Sequence, residues 1–267
     1  MTQPQLNPLA TPEPWDLVAS AYAEEVMPMF TAFAREALRL AEVSQGTRVL
    51  DVACGPGTLS LLAAEAGARV DALDFSPEMI ALLRQRAPAG VEPRIGDGQN
   101  LPYADASFDA AFSMFGLIFF PDPPRGLREL RRVLVPGGRA VISSWPPPAE
   151  VKMMRVLGGA MREALPNMPP HAMDDPFNNP DGFTAALEAA GFGHVVIHRV
   201  TNIQEAPSID EVWASLKRTM APLVLLKKRM GERFDPVAAH IEGRMREAFG
   251  EGPQRIELPA YLGVGTA

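Results

Sequence analysis

The hydrophobic positions between residues 45 and 145 change repeatedly between two spacings. Short apolar runs bounded by Gly, Pro or Asp predict buried strands, and segments with apolar residues three or four apart predict helices. The predicted strands are 48–53, 69–73, 91–95, 108–113 and 139–144, and the predicted helices are 58–66, 77–86 and 123–134. Strands that alternate with helices in this way form a parallel, doubly wound α/β sheet.

Changes in this pattern divide the chain into four segments. Residues 1–14 are rich in proline and polar side chains, and we expect a flexible arm. Residues 15–44 have helical spacing interrupted at Pro28, which predicts an N-terminal cap of two amphipathic helices. Residues 45–145 form the core sheet. Residues 146–267 are expected to supply a substrate lid, insertion helices and final strands that complete the same domain.

Beyond residue 145 the alternation of strands and helices is less regular. The predicted elements are a methionine-rich helix at 150–165, a loop at 166–180, a helix at 183–190, a strand at 194–203, mainly helical residues at 209–249 and a last strand at 255–264. We expect one sheet domain with C-terminal insertions and not two independent domains.

The composition narrows the class of protein. With 25 Lys+Arg against 32 Asp+Glu, the formal net charge is −7, which argues against a protein built to bind nucleic acid phosphates. A single cysteine excludes an intramolecular disulfide and fits a reducing, cytoplasmic setting. The longest apolar stretch, residues 110–120, is too short for a membrane span, which needs about 20 residues. We therefore expect a mildly acidic, soluble globular protein.

The strongest chemical signal is a glycine loop between the first predicted strand and the helix that follows it. Gly55 and Gly57 let the backbone turn tightly and approach a ligand without Cβ collisions. Asp74 ends the second strand, 17 residues after Gly57, where a carboxylate can accept both hydroxyls of a ribose. The pattern predicts a nucleotide site.

Two kinds of nucleotide-containing ligand are candidates for this loop. A dinucleotide fingerprint, G-x-G-x-x-G, requires glycine where Ser60 stands. Asp51 lies four residues before Gly55, and a carboxylate there is poorly placed beside a pyrophosphate. The same carboxylate suits a ligand that carries an ammonium group, so the residues favour a ligand other than a dinucleotide.

At these positions the sequence resembles the class I S-adenosylmethionine (SAM) dependent methyltransferases. The segment Asp51-x-Ala53-Cys54-Gly55-x-Gly57 resembles their first motif. The later motifs follow in order as Leu73-Asp74-Phe75-Ser76-Pro77-Glu78-Met79, Gly96-Asp97-Gly98-Gln99-Asn100-Leu101-Pro102, Phe108–Gly116, and Leu127–Gly138 with the form E-x-x-R-V-L-x-P-G-G. The resemblance covers residues 45–145. It is closest to the branch of ubiquinone/menaquinone-type and natural-product methyltransferases.

The resemblance implies a Rossmann-like, doubly wound sheet of seven strands in the order 3-2-1-4-5-7-6, with the last strand antiparallel. It also implies SAM as cofactor and S-adenosylhomocysteine as its product. By the same resemblance, Gly55 and Gly57 would line the methionine part of SAM, Asp51 would support its ammonium, and Asp74 would hold the ribose. The other implied cofactor positions are Phe75 and Met79 around the adenine, Asp97 with Gly98 and Gln99 at its amino group, and the Met114 carbonyl near the sulfonium.

Catalysis of methyl transfer makes few demands on side chains. The reaction is an in-line displacement, in which alignment and exclusion of water are the main tasks. His171, in the loop expected above the pocket, is a candidate general base. Tyr22 is the other catalytic candidate, since relatives often carry a Tyr there near SAM or the substrate. No metal is expected, because the motif regions offer no cluster of oxygen ligands.

Aromatic and methionine side chains from three segments are expected to meet at the mouth of the pocket. The substrate-pocket candidates are Tyr22, Phe30, Phe119, Trp145, Met153 and Met154. A lidded apolar pocket with adaptable methionine walls suits a hydrophobic small molecule, such as an aromatic, quinone-like or polyketide-like natural product. The alternatives are an NAD(P)-dependent oxidoreductase on a similar sheet and a non-catalytic SAM-binding protein.

Overall fold

A computed structural model describes residues 7–166 and 175–267. In this part of the chain, seven strands form one sheet with the order β3-β2-β1-β4-β5-β7-β6. The strands are β1 (Arg48–Val52), β2 (Arg69–Asp74), β3 (Val91–Ile95), β4 (Phe108–Ser113), β5 (Leu134–Ser144), β6 (Gly193–Ala206) and β7 (Gln254–Thr266). β1 to β5 pair in parallel, and β7 runs antiparallel to both β5 and β6. The expected strand order and the antiparallel last strand are confirmed.

Helices cover both faces of this sheet. They are α1 (Glu13–Ala21), α2 (Met27–Leu40), α3 (Thr58–Glu65), α4 (Pro77–Arg86), α5 (Pro123–Val133), α6 (Lys152–Ala164), α7 (Pro180–Ala189), α8 (Ile209–Thr219), α9 (Ala221–Met230) and α10 (Phe234–Phe249). None of the helices described is long and apolar enough to cross a bilayer.

Alternation along the strands sends successive side chains to two separate cores. Val49 joins the core formed with α2, α3, α4 and the insertion helices α6, α8 and α10. Its neighbour Leu50 joins the core beneath α5 and α7. Both residues are fully buried, as expected for a central parallel strand covered on each face.

The N-terminal segment is more ordered than its composition predicts. A 3₁₀ turn forms at Pro8–Ala10, Leu9 is buried, and Trp15 Nε1 donates a hydrogen bond of 2.9 Å to the Leu9 carbonyl. From Pro8 onward, the expected arm therefore packs on the domain, because Leu9 has an apolar site to fill.

The break expected at Pro28 is a π-helical turn, Tyr22–Val26, between α1 and α2. Pro28 directly follows the π turn, at the second position of α2. π turns are rare in proteins, and those that occur often lie at functional sites. This one carries Tyr22, a candidate site residue.

β5 begins earlier than predicted, at Leu134 instead of residue 139. The Pro136-Gly137-Gly138 segment, which follows the predicted helix 123–134, forms an irregularity in the pairing of β5 with β4. Gly137 N–H donates to the Ala267 carbonyl, and Ala267 N–H donates to the Gly138 carbonyl. Pairing with a residue so distant in the chain leaves no local signal, which explains the difference.

Candidate functional site

The glycine loop connects β1 to α3 at the carboxyl end of the sheet. Gly55 and Gly57 have φ angles of 55° and 97°, in the left-handed region that glycine adopts at little cost. A Cβ on Gly57 would lie 2.3 Å from Leu83 Cδ1, whereas a Cβ on Gly55 would meet nothing within 4 Å. Gly57 therefore permits close packing of the glycine loop against Leu83 of α4, and Gly55 borders open space.

Asp51, on β1 beneath this loop, is a buried carboxylate with one free oxygen. Its Oδ2 accepts a hydrogen bond of 2.6 Å from Ser60 Oγ, and its Oδ1 has no partner. The residue is 1% exposed, and this burial raises its pKa to about 7. A buried polar atom without a partner is costly, so Oδ1 is suited to receive a cationic donor from a ligand.

Asp74, at the end of β2, is held in one orientation by the backbone. Its Oδ1 accepts from Ser76 N–H and its Oδ2 from Gly55 N–H, both at 2.8 Å. Burial raises its pKa to about 6, although both hydrogen bonds favour the charged form. Each oxygen keeps a further lone pair, so the carboxylate can accept hydroxyl groups of a sugar.

The first helix covers this corner of the site. Asp16 Oδ1, on α1, accepts from Ser76 Oγ at 2.5 Å and from Glu78 N–H at 3.3 Å. Ser76 in turn caps α4 by accepting from Met79 N–H. Asp16 thus ties α1 to the N-terminus of α4, directly beside Asp74.

Tyr22 follows on the π turn and shares the environment of Asp74. Burial, together with the charge of Asp74, raises the pKa of the Tyr22 phenol well above its ordinary value. The phenol therefore stays protonated at neutral pH and can act as a hydrogen-bond donor, not as a base.

The segment after β3 presents Asp97 to the same edge of the sheet. Asp97 Oδ1 accepts from the N–H of Gln99 at 2.8 Å and from its Nε2 at 3.3 Å. Within the described residues, Asp97 Oδ2 forms no hydrogen bond. A Cβ on Gly98 would lie 2.4 Å from the Phe120 ring, so glycine is required for this close approach.

The turn after β4 contains a strained backbone. Phe115, the residue after Met114, has a φ angle of 57°, which is uncommon for a bulky side chain. Its N–H donates to Ser143 Oγ at 2.8 Å, and the N–H of Leu117 donates to Ser113 Oγ at 3.1 Å. These two buried hydroxyls hold the turn, and such strain is typical of functional sites.

Aromatic rings gather on this turn. The Phe115 ring stacks on Trp145, with centroids 4.2 Å apart and planes at 23°, and Phe30 lies 5.0 Å from Phe115. Phe33 completes the group at 5.4 Å from Phe115. We call Phe30, Phe33, Phe115 and Trp145 the aromatic cluster. It brings together the predicted pocket residues Phe30 and Trp145, and Tyr22 contacts it through Phe30, at 6.2 Å between ring centroids.

The other predicted pocket residues differ in their surroundings, because Met153 shares the hydrophobic core of Phe33 and Phe115 whereas Phe119 lies in a separate cluster. Phe119 packs on Trp15 of α1, with ring centroids 5.0 Å apart. Met153 is buried in the core and Met154 is half-buried, both on α6. Among the predicted cofactor residues, Met79 is buried with Leu9, Val18 and Ala19, whereas Phe75 and Met114 are half-buried. His171 lies outside the described residues.

Sequence reasoning missed three residues that shape this site. Ser60 was noted only as a departure from glycine, although a hydroxyl one helical turn from the loop can reach a buried carboxylate. Phe115 follows Met114 in a recognised motif and could have been included. Asp16 left no signal, because its partner Ser76 is 60 residues away along the chain.

Comparison with known proteins gives a consistent result. A family described as "Methyltransferase domain" matches residues 50–142. A demethylmenaquinone methyltransferase of Thermus thermophilus is 38% identical over 177 residues, which cover 59% of this chain and 80% of that protein. The matches to seven further proteins of that name cover between 44% and 71% of each of them.

Solved structures show the same fold. A complex of the Haloferax volcanii Trm112 methyltransferase activator with a putative methyltransferase covers 95% of this chain and 97% of the other, with a TM-score of 0.60 and 22% identity. A phosphoethanolamine N-methyltransferase of Haemonchus contortus, solved with S-adenosylhomocysteine and phosphomonomethylethanolamine, covers 94% of this chain and 57% of the other, with a TM-score of 0.58 and 16% identity.

Proposed function

Because the chain belongs to the class I SAM-dependent methyltransferases of the quinone-type branch, we propose that it methylates a hydrophobic, planar, quinone-like small molecule. SAM is the cofactor of this family. The observation that carries the acceptor class is the aromatic cluster, which lies on the turn directly after Met114.

The residues of the glycine loop and its neighbours fit SAM. Asp51 Oδ1 is a buried acceptor without a partner, which suits the cofactor's ammonium group. Asp74 is oriented by two backbone N–H groups and suits the ribose hydroxyls. Gly55 borders open space that the methionine part would fill. Asp97 Oδ2 is available for the amino group of the adenine, with Gly98 and Gln99 beside it.

The half-buried Met114 leads from β4 to Phe115 of the aromatic cluster. Its carbonyl is suited to face the positive sulfonium. Phe75 and Met79 are the proposed neighbours of the adenine. In this structure Met79 packs under α1, so the position of α1 and the adenine site are linked.

When bound, SAM supplies a methyl group activated by the sulfonium. The chain's own contribution is alignment and exclusion of water. α1 and the π turn cover the ribose corner, and Tyr22 offers a protonated phenol that can donate to the acceptor or the cofactor. His171 is retained as the proposed general base for an acceptor hydroxyl.

The aromatic cluster favours a flat acceptor. Phe115 is stacked on Trp145 and Phe30 is tilted against both rings. Stacking is one of the preferred geometries between aromatic groups. Phe119, Met153 and Met154 are the proposed outer walls, where a hydrophobic tail would lie. The demethylmenaquinone methyltransferases to which this chain is similar support a quinone-like ring.

The test is a two-step measurement on the purified protein. Calorimetric titration with S-adenosylhomocysteine, with NADH in parallel, establishes cofactor binding. Methyl transfer from labelled SAM is then measured to a short-chain demethylated naphthoquinol, a phenolic polyketide and a polar amine. Transfer to the naphthoquinol or the phenol is expected. Transfer to the amine alone would overturn the proposed acceptor class.

A further inference from the structure

The segment between β3 and β4 has no regular secondary structure of its own. Residues 96–107 form neither helix nor strand, yet they carry Asp97, Gly98 and Gln99. A segment without a helical or strand ladder must be held by other hydrogen bonds, or it opens at little cost. Backbone bonds hold the two ends of the segment, at Gly96, Ala106 and Ser107. Its middle is bound mainly by two side chains of α5, Glu129 and Arg132.

Arg132 uses all of its five N–H donors. Nε donates to Glu129 Oε1 at 2.7 Å, and Nη2 donates to Glu129 Oε2 at 2.8 Å and to the Leu101 carbonyl at 3.1 Å. Nη1 donates to the Tyr103 carbonyl at 2.8 Å and to Asp105 Oδ1 at 2.7 Å. Three of the five bonds therefore end on the segment between β3 and β4.

Glu129 makes the complementary contact. Its Oε2 accepts from the N–H of Leu101 at 2.8 Å, so both backbone groups of Leu101 are bound by this pair. The Glu129 side chain is 19% exposed and that of Arg132 is 31% exposed. The hydrogen bond from Arg132 holds the pKa of Glu129 below its usual range. The pair thus stays ionised and is shielded from most of the solvent.

Two further contacts fix the near end of the segment. Gln99 Oε1 accepts from Asp122 N–H at 2.7 Å, and Asp122 caps the N-terminus of α5. Leu101 is itself buried, so its position follows from both its side chain and its backbone. The segment is consequently fixed on α5 at Gln99, Leu101 and Tyr103, immediately after Asp97.

We propose that Glu129 and Arg132 are positioning residues that hold Asp97 where it can recognise the adenine of the cofactor. The E-x-x-R pattern of α5 then has a function in cofactor recognition, although neither side chain touches the cofactor. This inference rests on the adenine role of Asp97 in the proposed function. Its test therefore includes Asp97 as a separate variant.

The experiment compares two ligands that differ only in the base. Calorimetric titration is done with S-adenosylhomocysteine and with S-inosylhomocysteine, whose hypoxanthine carries a carbonyl in place of the amino group. Wild type is expected to prefer the adenine ligand by about tenfold or more, because a charged acceptor loses its donor. Asp97→Asn should reduce this preference, because an amide can turn its donor towards the carbonyl.

Glu129→Gln and Arg132→Lys are the decisive variants. Both are expected to reduce the adenine preference to about threefold or less, with the weaker binding confined to the adenine ligand. Hydrogen exchange should speed up at the Leu101 amide. Asp109→Asn is the matched control, since Asp109 forms a two-point ion pair with Arg48 at the amino ends of β4 and β1. The control should retain the wild-type preference.

The outcomes separate the two claims. If Glu129→Gln lowers the melting temperature but keeps the full adenine preference, the pair has only a structural role and this inference is overturned. If wild type and Asp97→Asn bind both ligands equally, the adenine role of Asp97 fails under the proposed function, and this inference fails with it.

Discussion

Ser60 Oγ donates a hydrogen bond of 2.6 Å to Asp51 Oδ2, and both residues are buried. Ser60 stands where a dinucleotide-binding loop requires glycine, so the departure from that fingerprint has a structural purpose. The bond orients the carboxylate and leaves Oδ1 open. Ser60, at the third position of the glycine fingerprint, therefore orients the Asp51 carboxylate.

Removing this hydroxyl tests its role. Ser60→Ala is expected to weaken the binding of S-adenosylhomocysteine by about threefold to tenfold, because Asp51 loses the donor that orients it. Calorimetric titration measures the dissociation constant. Ser107→Ala is the control, since the Ser107 hydroxyl bonds only to the nearby Ala104 carbonyl in the described structure. Equal affinity in both variants would contradict the orienting role of Ser60.

Asp74→Ala should abolish measurable cofactor binding. The ribose loses an acceptor for both hydroxyls, each bond to a charged group being worth about 1.5–3 kcal/mol. The N–H groups of Gly55 and Ser76 also lose their partner, so the loop itself loosens. Circular dichroism establishes that the variant is folded, and titration then measures binding. A folded variant with wild-type affinity would show that the ribose lies elsewhere.

The two buried carboxylates make stability depend on pH. Burial raises the pKa of Asp51 from 3.8 to about 7 and that of Asp74 from 3.8 to about 6. Between about pH 4 and about pH 7, the folded, ligand-free protein binds more protons than the unfolded chain. Its free energy of unfolding therefore falls as the pH rises through this range. Melting curves across this range measure the effect. Asp51→Asn should flatten it, and an unchanged slope in that variant would contradict the assignment.

Ligand binding should show the opposite dependence. A cationic ligand favours the charged carboxylates, so the affinity for SAM should rise between about pH 5.5 and about pH 8 and binding should release protons. Titration in two buffers of different ionisation enthalpy measures the released protons. Binding without proton release near neutral pH would mean that Asp51 does not meet a cation.

Trp145→Ala tests the acceptor side. Loss of the ring that stacks on Phe115 should raise the KM for a naphthoquinol about tenfold and leave the affinity for S-adenosylhomocysteine unchanged. Trp145→Phe, which keeps a ring, should restore most of the loss. Steady-state kinetics with each variant make the comparison. A change in cofactor affinity with an unchanged acceptor KM would place Trp145 on the cofactor side.

Much of the fold could be predicted from the sequence, because its signals are local. β3 and β4 match their predicted bounds, and Ser76 caps α4 as its Ser-Pro pair indicates. The start of β5 was predicted too late, because Pro-Gly-Gly usually ends an element and the distant pairing with Ala267 leaves no local mark. Predictions thus failed where the partner was remote.

The same distinction applies to the site. Gly55, Asp51 and Asp74 lie at strand ends, where the order of strands and helices already indicates that they meet. Asp16 and the ring contacts of Phe115 depend on how helices pack across the sheet, which periodicity does not encode. Phe119 was grouped with Trp145 but packs on Trp15 of α1, a contact between segments more than 100 residues apart that leaves no local signal.

The position of β7 sets the order in which the protein can assemble during synthesis. β7 pairs with β5 on one side and β6 on the other, although it is the last of the three to leave the ribosome. Until then β6 has no neighbour in the sheet, and its apolar residues Val196 and Ile203 stay exposed even in the finished fold. In the nascent chain, β6 therefore remains an unpaired strand while α8, α9 and α10 are synthesised. An unpaired strand edge is prone to aggregate, and the pairing of β7 with β6 removes it.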